Sequence, residues 1–219
     1  MKKYIKVFGS CLLIGLSILI AMSVIVAKNK DRPPLVCIDA GHGGDDVGAT
    51  SPDGQRLEKD DNLEIAILVR DKLVEKGIDV FLTRDNDSSI TLKKRVTTAN
   101  RKRSCFFVSL HRNSSLDCKG KGVEIWISSK NNEDERLLAQ NILDKLVCVG
   151  VQSVRGIHIG FRDNPNSDYY INKYSDMTSC LVEIGFINNE KDNELFDEKL
   201  EEYAAAVADG IELSLGAIE

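Results

Sequence analysis

The chain has 219 residues with 29 basic and 34 acidic side chains, a formal net charge of −5. Its first 27 residues hold three lysines and no acid, so residues 28–219 carry 26 basic and 34 acidic groups, a net −8. That balance excludes a nucleic-acid partner, which would require a basic face, and residues 28–219 suffice for one domain with a substantial core.

Residues 7–27 run without a charge, with Lys2, Lys3 and Lys6 before them and Lys28, Lys30 and Arg32 after. About 20 apolar residues cross a hydrocarbon core roughly 30 Å thick. Residues 1–27 are therefore expected to form one N-terminal transmembrane helix, a single-pass anchor with the rest of the chain outside the cell membrane. The competing expectation is a signal segment cleaved near Lys28, releasing the remainder to the wall. Residues 28–34, with two prolines, read as a linker, and 35–219 as one domain. Of six cysteines, Cys11 lies in the apolar run. The other five, Cys37, Cys105, Cys118, Cys148 and Cys180, are odd in number and lack close pairs, unlike a disulfide framework.

From residue 35 onward strand and helix signals alternate. Leu35–Ile38 is a short apolar run ending at Asp39 and a Gly-rich loop. A helix follows, with Asp61 and Glu64 at capping-box spacing and Leu63, Ala66, Ile67, Leu73 and Val74 on one face. Strand Ile78–Leu82, a helix over 92–102 and the apolar strand Cys105–Leu110 come next. Val123–Ile127 reads as a strand and 133–149 as an amphipathic helix. Residues 151–178 read as irregular, Cys180–Val182 as the last strand, and Phe196 to Leu215 as one final helix. The alternation predicts an α/β fold, a central mostly parallel sheet flanked by helices on both faces.

In such sheets ligands bind beyond the C-terminal strand ends. Asp39–His42, His111 and Glu183 each follow a predicted strand, which brings metal-capable and acid–base groups to one edge. Two of the three histidines in the chain stand there, His42 and His111. Two His and one Glu form a common zinc set, with water in the fourth position, and Glu58, placed just ahead of the first helix, could complete it. Glu183 interrupts the apolar segment Cys180–Phe186. A buried unpaired carboxylate must pair, bind metal or keep a proton. The rival reading of the Gly-rich loop as a phosphate site is weak: Asp46 occupies the last glycine position of G-x-G-x-x-G, and Asp45 and Asp46 would repel phosphate.

The segments Asp39-Ala40-Gly41-His42-Gly43-Gly44-Asp45-Asp46-Val47-Gly48-Ala49, Glu58-Lys59, Ser109-Leu110-His111-Arg112-Asn113 and Leu181-Val182-Glu183-Ile184-Gly185-Phe186-Ile187-Asn188-Asn189, with Arg84, Arg95, Ala99 and Asn100, resemble the ordered signatures of the zinc-dependent N-acetylmuramoyl-L-alanine amidases. The resemblance covers about residues 35–215. It implies Zn2+ held by His42, Glu58 and His111, Glu183 as catalytic acid–base, and peptidoglycan as substrate, cut between N-acetylmuramic acid and L-alanine. It departs at Ala40, where proline is commoner, at Arg112, where a small residue is usual, and at His158 after Arg155-Gly156. His158 is expected to be solvated rather than to line the substrate groove. A monomer is expected. Two alternatives stay open: a zinc peptidase or deacetylase acting on another peptidoglycan bond, and a membrane-anchored wall-binding or activator protein without catalysis.

Overall fold

The computed structural model describes residues 34–164 and 166–218. The expected anchor, residues 1–27, lies outside the described residues; among those described, no helix is long and apolar enough to cross a membrane. The described residues form a single α/β domain on a six-stranded mixed sheet. The strands are β1 (Leu35–Ala40), β2 (Asp79–Leu82), β3 (Phe106–Asn113), β4 (Val123–Ile127), β5 (Val154–Ile159) and β6 (Thr178–Phe186), in the order β2-β1-β3-β6-β4-β5. All neighbours are parallel except β4 and β6. The loop over 114–122 is too short for a helical crossover, so β4 runs opposite to β3 and β6 inserts between them.

The helices are α1 (Glu58–Glu75), α2 (Leu92–Lys102), α3 (Glu133–Val149), α4 (Tyr170–Tyr174), α5 (Glu190–Glu198) and α6 (Leu200–Ile218). Alternate strand residues divide between two cores, as a period of two requires. Val36, Ile38, Val108, Leu110, Ile125 and Val182 pack with α1, α3 and α6. Cys37, Phe107, Trp126 and Leu181 pack with Val96 and Ala99 of α2 and Ile171 of α4. Both faces are covered, as expected for a sheet with continuous apolar strands.

Several boundaries differ from the sequence reading. Helix α1 starts at Glu58, not near Asp61, and its N-cap Leu57 supplies no side-chain bond. Asp61 instead accepts two bonds from Arg56 Nε (2.8 and 3.0 Å) and pairs with Arg112. The buried face of α1 is Asn62, Ile65, Ala66, Val69 and Leu73, whereas Val74 is exposed. Within 151–178 lie β5 and α4. The edge position of β5 leaves it half-exposed, and Arg155, Gly156 and His158 interrupt its apolar pattern. The C-terminal helix is two, with Lys199 breaking between α5 and α6.

Helices α3 and α6 meet at Gly210, where an added Cβ would sit 2.6 Å from the Ile142 Cα. Backbone cannot yield as a side chain does, so Gly210→Ala should destabilise the domain by about 1–3 kcal/mol. Urea denaturation checks this; a rise in stability, as Ala alone would give a solvent-facing helix, would contradict such close packing.

Candidate functional site

Residue alternation puts Asp39, Ser109, His111, Glu183 and Glu124 on the α2/α4 face of the sheet. Strands β3 and β6 continue past the apolar runs, so His111 and Glu183 sit within strands rather than after them. In register, His111 of β3 stands beside Glu183 of β6, which stands beside Glu124 of β4. The site is thus on the sheet's face near the C-terminal ends of β1 and β3. It opens into a cleft of about 610 Å³ lined by His42, Glu58, His111 and Glu183.

The loop after β1 delivers His42 in a left-handed conformation, φ 60°, which costs a non-glycine residue about 1–3 kcal/mol unless its surroundings enforce it. Two buried arginines do so. Arg84 donates to the carbonyls of Ala40 (3.0 Å), Gly41 (2.9 Å) and, across the gap to α1, Lys59 (2.7 Å). Arg95 donates to the carbonyls of Ala40 (2.6 Å) and His42. Asp39 anchors Arg95 at 2.7 Å and also accepts from Thr83 Oγ1 and Ser109 Oγ, each at 2.6 Å. Burial opposes charge on Asp39, but Arg95 and these hydroxyls hold its pKa below the usual carboxylate value. Gly41 is required beside His111, whose ring would lie 2.3 Å from an added Cβ.

Glu58, the first residue of α1, reaches between the two histidines. Its Oε1 lies 2.8 Å from His111 Nδ1 and 3.3 Å from His42 Nε2. The same oxygen accepts from Asn62 Nδ2 and the Arg112 backbone N–H, both at 3.2 Å, while Oε2 accepts from the Ala49 N–H at 2.8 Å. Burial disfavours its charge, but the two histidines hold the Glu58 pKa well below normal. Burial likewise disfavours charge on His42, yet Glu58 and Asp46, the latter 2.9 Å from Nδ1, raise its pKa to about 9.

Ligand atoms of His42, Glu58 and His111 lie within 4.8 Å of one another, the group among the described residues that suits a metal ion. Two imidazoles and a carboxylate match the donor set of catalytic zinc. Glu183 completes the fit: it is buried, and its Oε2 has no hydrogen-bond partner. Burial pushes the Glu183 pKa up to about 7.

Its neighbour Glu124 has the opposite environment. Glu124 accepts from Arg155 Nε (2.5 Å), Arg162 Nη2 (2.7 Å), Asn113 Nδ2 (2.8 Å) and Trp126 Nε1 (3.0 Å). These donors overcome burial and draw its pKa to about 2. The two adjacent carboxylates thus have pKa values forced apart, Glu183 upward by burial and Glu124 downward by its donors.

A match to the family model of N-acetylmuramoyl-L-alanine amidase spans residues 36–213. The chain belongs to this family. Its enzyme class is that of the peptidoglycan amidases. Over 180 residues the chain is 38% identical to the uncharacterized Bacillus subtilis protein YqiI, covering 81% of this chain and 82% of that one. With the amidase LytC of the same organism it shares 32% identity over 198 residues, 87% of this chain but only 38% of LytC. The solved catalytic domain of CwlV, an amidase from Paenibacillus polymyxa, superimposes with a TM-score of 0.75 at 31% identity, covering 84% of this chain and 98% of that domain.

Of the three departures from the family pattern, those at Ala40 and Arg112 are absorbed. The Ala40 carbonyl is one of those gripped by the arginines. The Arg112 side chain turns to the other face, to Asp61, Asn193 and the Phe196 ring, although its backbone N–H does touch Glu58. His158 is half-buried and stacks on Trp126 at 4.8 Å, outside the cleft lining. The sequence did not mark Asn62, Asn113 and Arg162 as donors to Glu58 and Glu124, nor Tyr169, which lines the cleft against Trp126 and Phe161. Asn62 lies four residues after Glu58, a helical spacing visible once α1 is started correctly. Arg162 and Tyr169 lie in a stretch without periodicity, and no signal marked them.

In the metal-free protein, His42 has a folded pKa of about 9 against an ordinary value of 6.5. Its contribution to stability is therefore present below pH 6.5 and lost as pH rises to about 9. The denaturation midpoint of the chelator-treated protein should fall across this window, and less so in His42→Ala. Equal falls in both would show that the His42–Glu58–Asp46 charge cluster does not stabilise the metal-free fold.

Proposed function

We propose that this chain hydrolyses the amide between N-acetylmuramic acid and L-alanine in peptidoglycan. In this reading His42, Glu58 and His111 hold Zn2+ and Glu183 carries the proton. The supporting observation is the convergence of three metal-capable donors within 4.8 Å beside a buried carboxylate whose Oε2 has no hydrogen-bond partner. When bound, zinc supplies a Lewis acid for the amide carbonyl and lowers the pKa of water towards neutrality.

The protein's own residues supply the rest. The arginine clamp holds His42 and the start of α1 in register with β3, so the three donors need little rearrangement. Glu183 takes a proton from the attacking water as its oxygen bonds to the carbonyl carbon. It then delivers that proton to the L-alanine nitrogen as the carbon–nitrogen bond breaks. The products are a muramic acid carboxylate and a stem peptide with a free amino terminus. Burial, which favours the protonated form of Glu183, suits this carboxyl to hold the proton between the two transfers.

Glu183→Gln keeps the shape but not the proton transfer, so it should retain zinc while releasing stem peptides from sacculi about 10²–10⁴ times more slowly. His111→Ala should lose zinc and activity together. Metal analysis with an assay for new L-alanine amino termini checks both. Stoichiometric zinc in His111→Ala would overturn the ligand set, and near-normal release by zinc-loaded Glu183→Gln would remove Glu183 from the mechanism.

We further propose that residues 1–27 are an uncleaved anchor that keeps the domain at the outer face of the cell membrane. The support is the uncharged run over 7–27, long enough to span. Expressed in a bacterium, the protein should stay with membranes through alkaline extraction. A mature form beginning near Lys28 in the medium would show a cleaved signal instead.

A further inference from the structure

Three arginines contribute atoms to the wall of the cleft, Arg95, Arg112 and Arg162. The first two are spent inside the protein, with side chains 3% and 1% exposed and paired with Asp39 and Asp61. Arg162 differs, with 37% of its side chain exposed. Its Nη2 donates to Asn113 Oδ1 and Glu124 Oε1, both at 2.7 Å, and Nη1 donates to the Ser114 carbonyl at 3.3 Å. A guanidinium has five N–H groups, so donors remain. Glu124 is also shared with Arg155 at 2.5 Å, so two guanidinium groups face one carboxylate and a positive charge is left over.

The position of Arg162 along the sheet gives that charge a direction. The candidate metal donors come from β1, α1 and β3, Glu183 follows on β6, and Arg162 lies over Glu124 on the next strand, β4. In the proposed reaction the carbonyl sits by the metal donors and the departing nitrogen by Glu183. The leaving stem peptide therefore continues past Glu183 and over β4. Adjacent strands are about 4.8 Å apart and each extended residue spans about 3.5 Å, so the second stem residue comes within reach of Arg162.

Resting on the amidase reading above, we infer that Arg162 is a substrate-binding residue that takes the free carboxylate of the second stem residue, making the enzyme selective for an acid there over its amide. In an L-alanyl-D-γ-glutamyl stem, the γ-linkage leaves the α-carboxyl of that residue free. Guanidinium is suited to this group because it presents parallel donors to a planar anion. Arg155, the other arginine on Glu124, is outside the cleft lining and serves as an internal control.

The test uses the purified, zinc-loaded full-length protein and two muropeptides that differ only at this residue, D-glutamate or D-isoglutamine. The wild type should cleave the acidic substrate roughly tenfold better in kcat/KM, mostly through KM, the size of one charge-assisted hydrogen bond. Arg162→Gln should erase the preference, Arg162→Lys should keep part of it, and Arg155→Gln should keep it all. Equal cleavage of both substrates by the wild type would overturn the inference. So would a preference that persists in Arg162→Gln, or one lost equally in Arg155→Gln, since the effect would then pass through Glu124. If the wild type cleaved neither muropeptide, the amidase reading itself would fail.

Discussion

The site depends on how two arginines satisfy the end of one strand. Where β1 stops, the carbonyls of Ala40, Gly41 and His42 lose their sheet partners, and buried backbone groups must find others. Arg84 and Arg95 provide them, and because Arg84 also binds the Lys59 carbonyl, the same guanidinium locks the start of α1 to the loop. His42 and Glu58, sixteen residues apart in sequence, are thereby held at 3.3 Å. A buried cation without a carboxylate of its own is expensive. Burial lowers the Arg84 pKa, and its charge is spread over several carbonyl oxygens. The Asp39 carboxylate settles the second guanidinium.

The second constraint is the insertion of β6 between β3 and β4. It sets Glu183 in one row with His111 on one side and Glu124 on the other. Two neighbouring carboxylates in a dry region cannot both ionise at low cost. The protein gives all the nearby donors to one of them. Glu124, ringed by Arg155, Arg162, Asn113 and Trp126, is held as an anion, while burial pushes the Glu183 pKa upward.

Much of this was legible in the residues. The apolar runs at Leu35–Ile38, Cys105–Leu110 and Cys180–Val182 marked the central strands, and an acid inside the last run marked Glu183. What the runs did not disclose is that β3 and β6 continue through polar residues. The groups expected beyond the strand ends lie on the sheet face instead, because hydrogen bonding between strands does not stop where hydrophobicity does. Asp61 looked like a helix cap since its spacing to Glu64 fits one, but its carboxylate is taken by Arg56 and Arg112. The edge strand β5 and the cleft residues Arg162 and Tyr169 left no periodic trace. They are held by contacts with residues distant in sequence, and such contacts write no local pattern.

In the proposed chemistry the donors on β1, α1 and β3, with Glu183 on β6, open the lactyl amide and no other peptidoglycan bond. Mass spectrometry of purified sacculi digested by the zinc-loaded protein tests it directly. The expected products are soluble stem peptides with a new L-alanine amino terminus, together with glycan whose muramic acid carboxylates are free. Cleavage within the stem peptide, or loss of acetyl groups from the sugars with the lactyl amide intact, would contradict it.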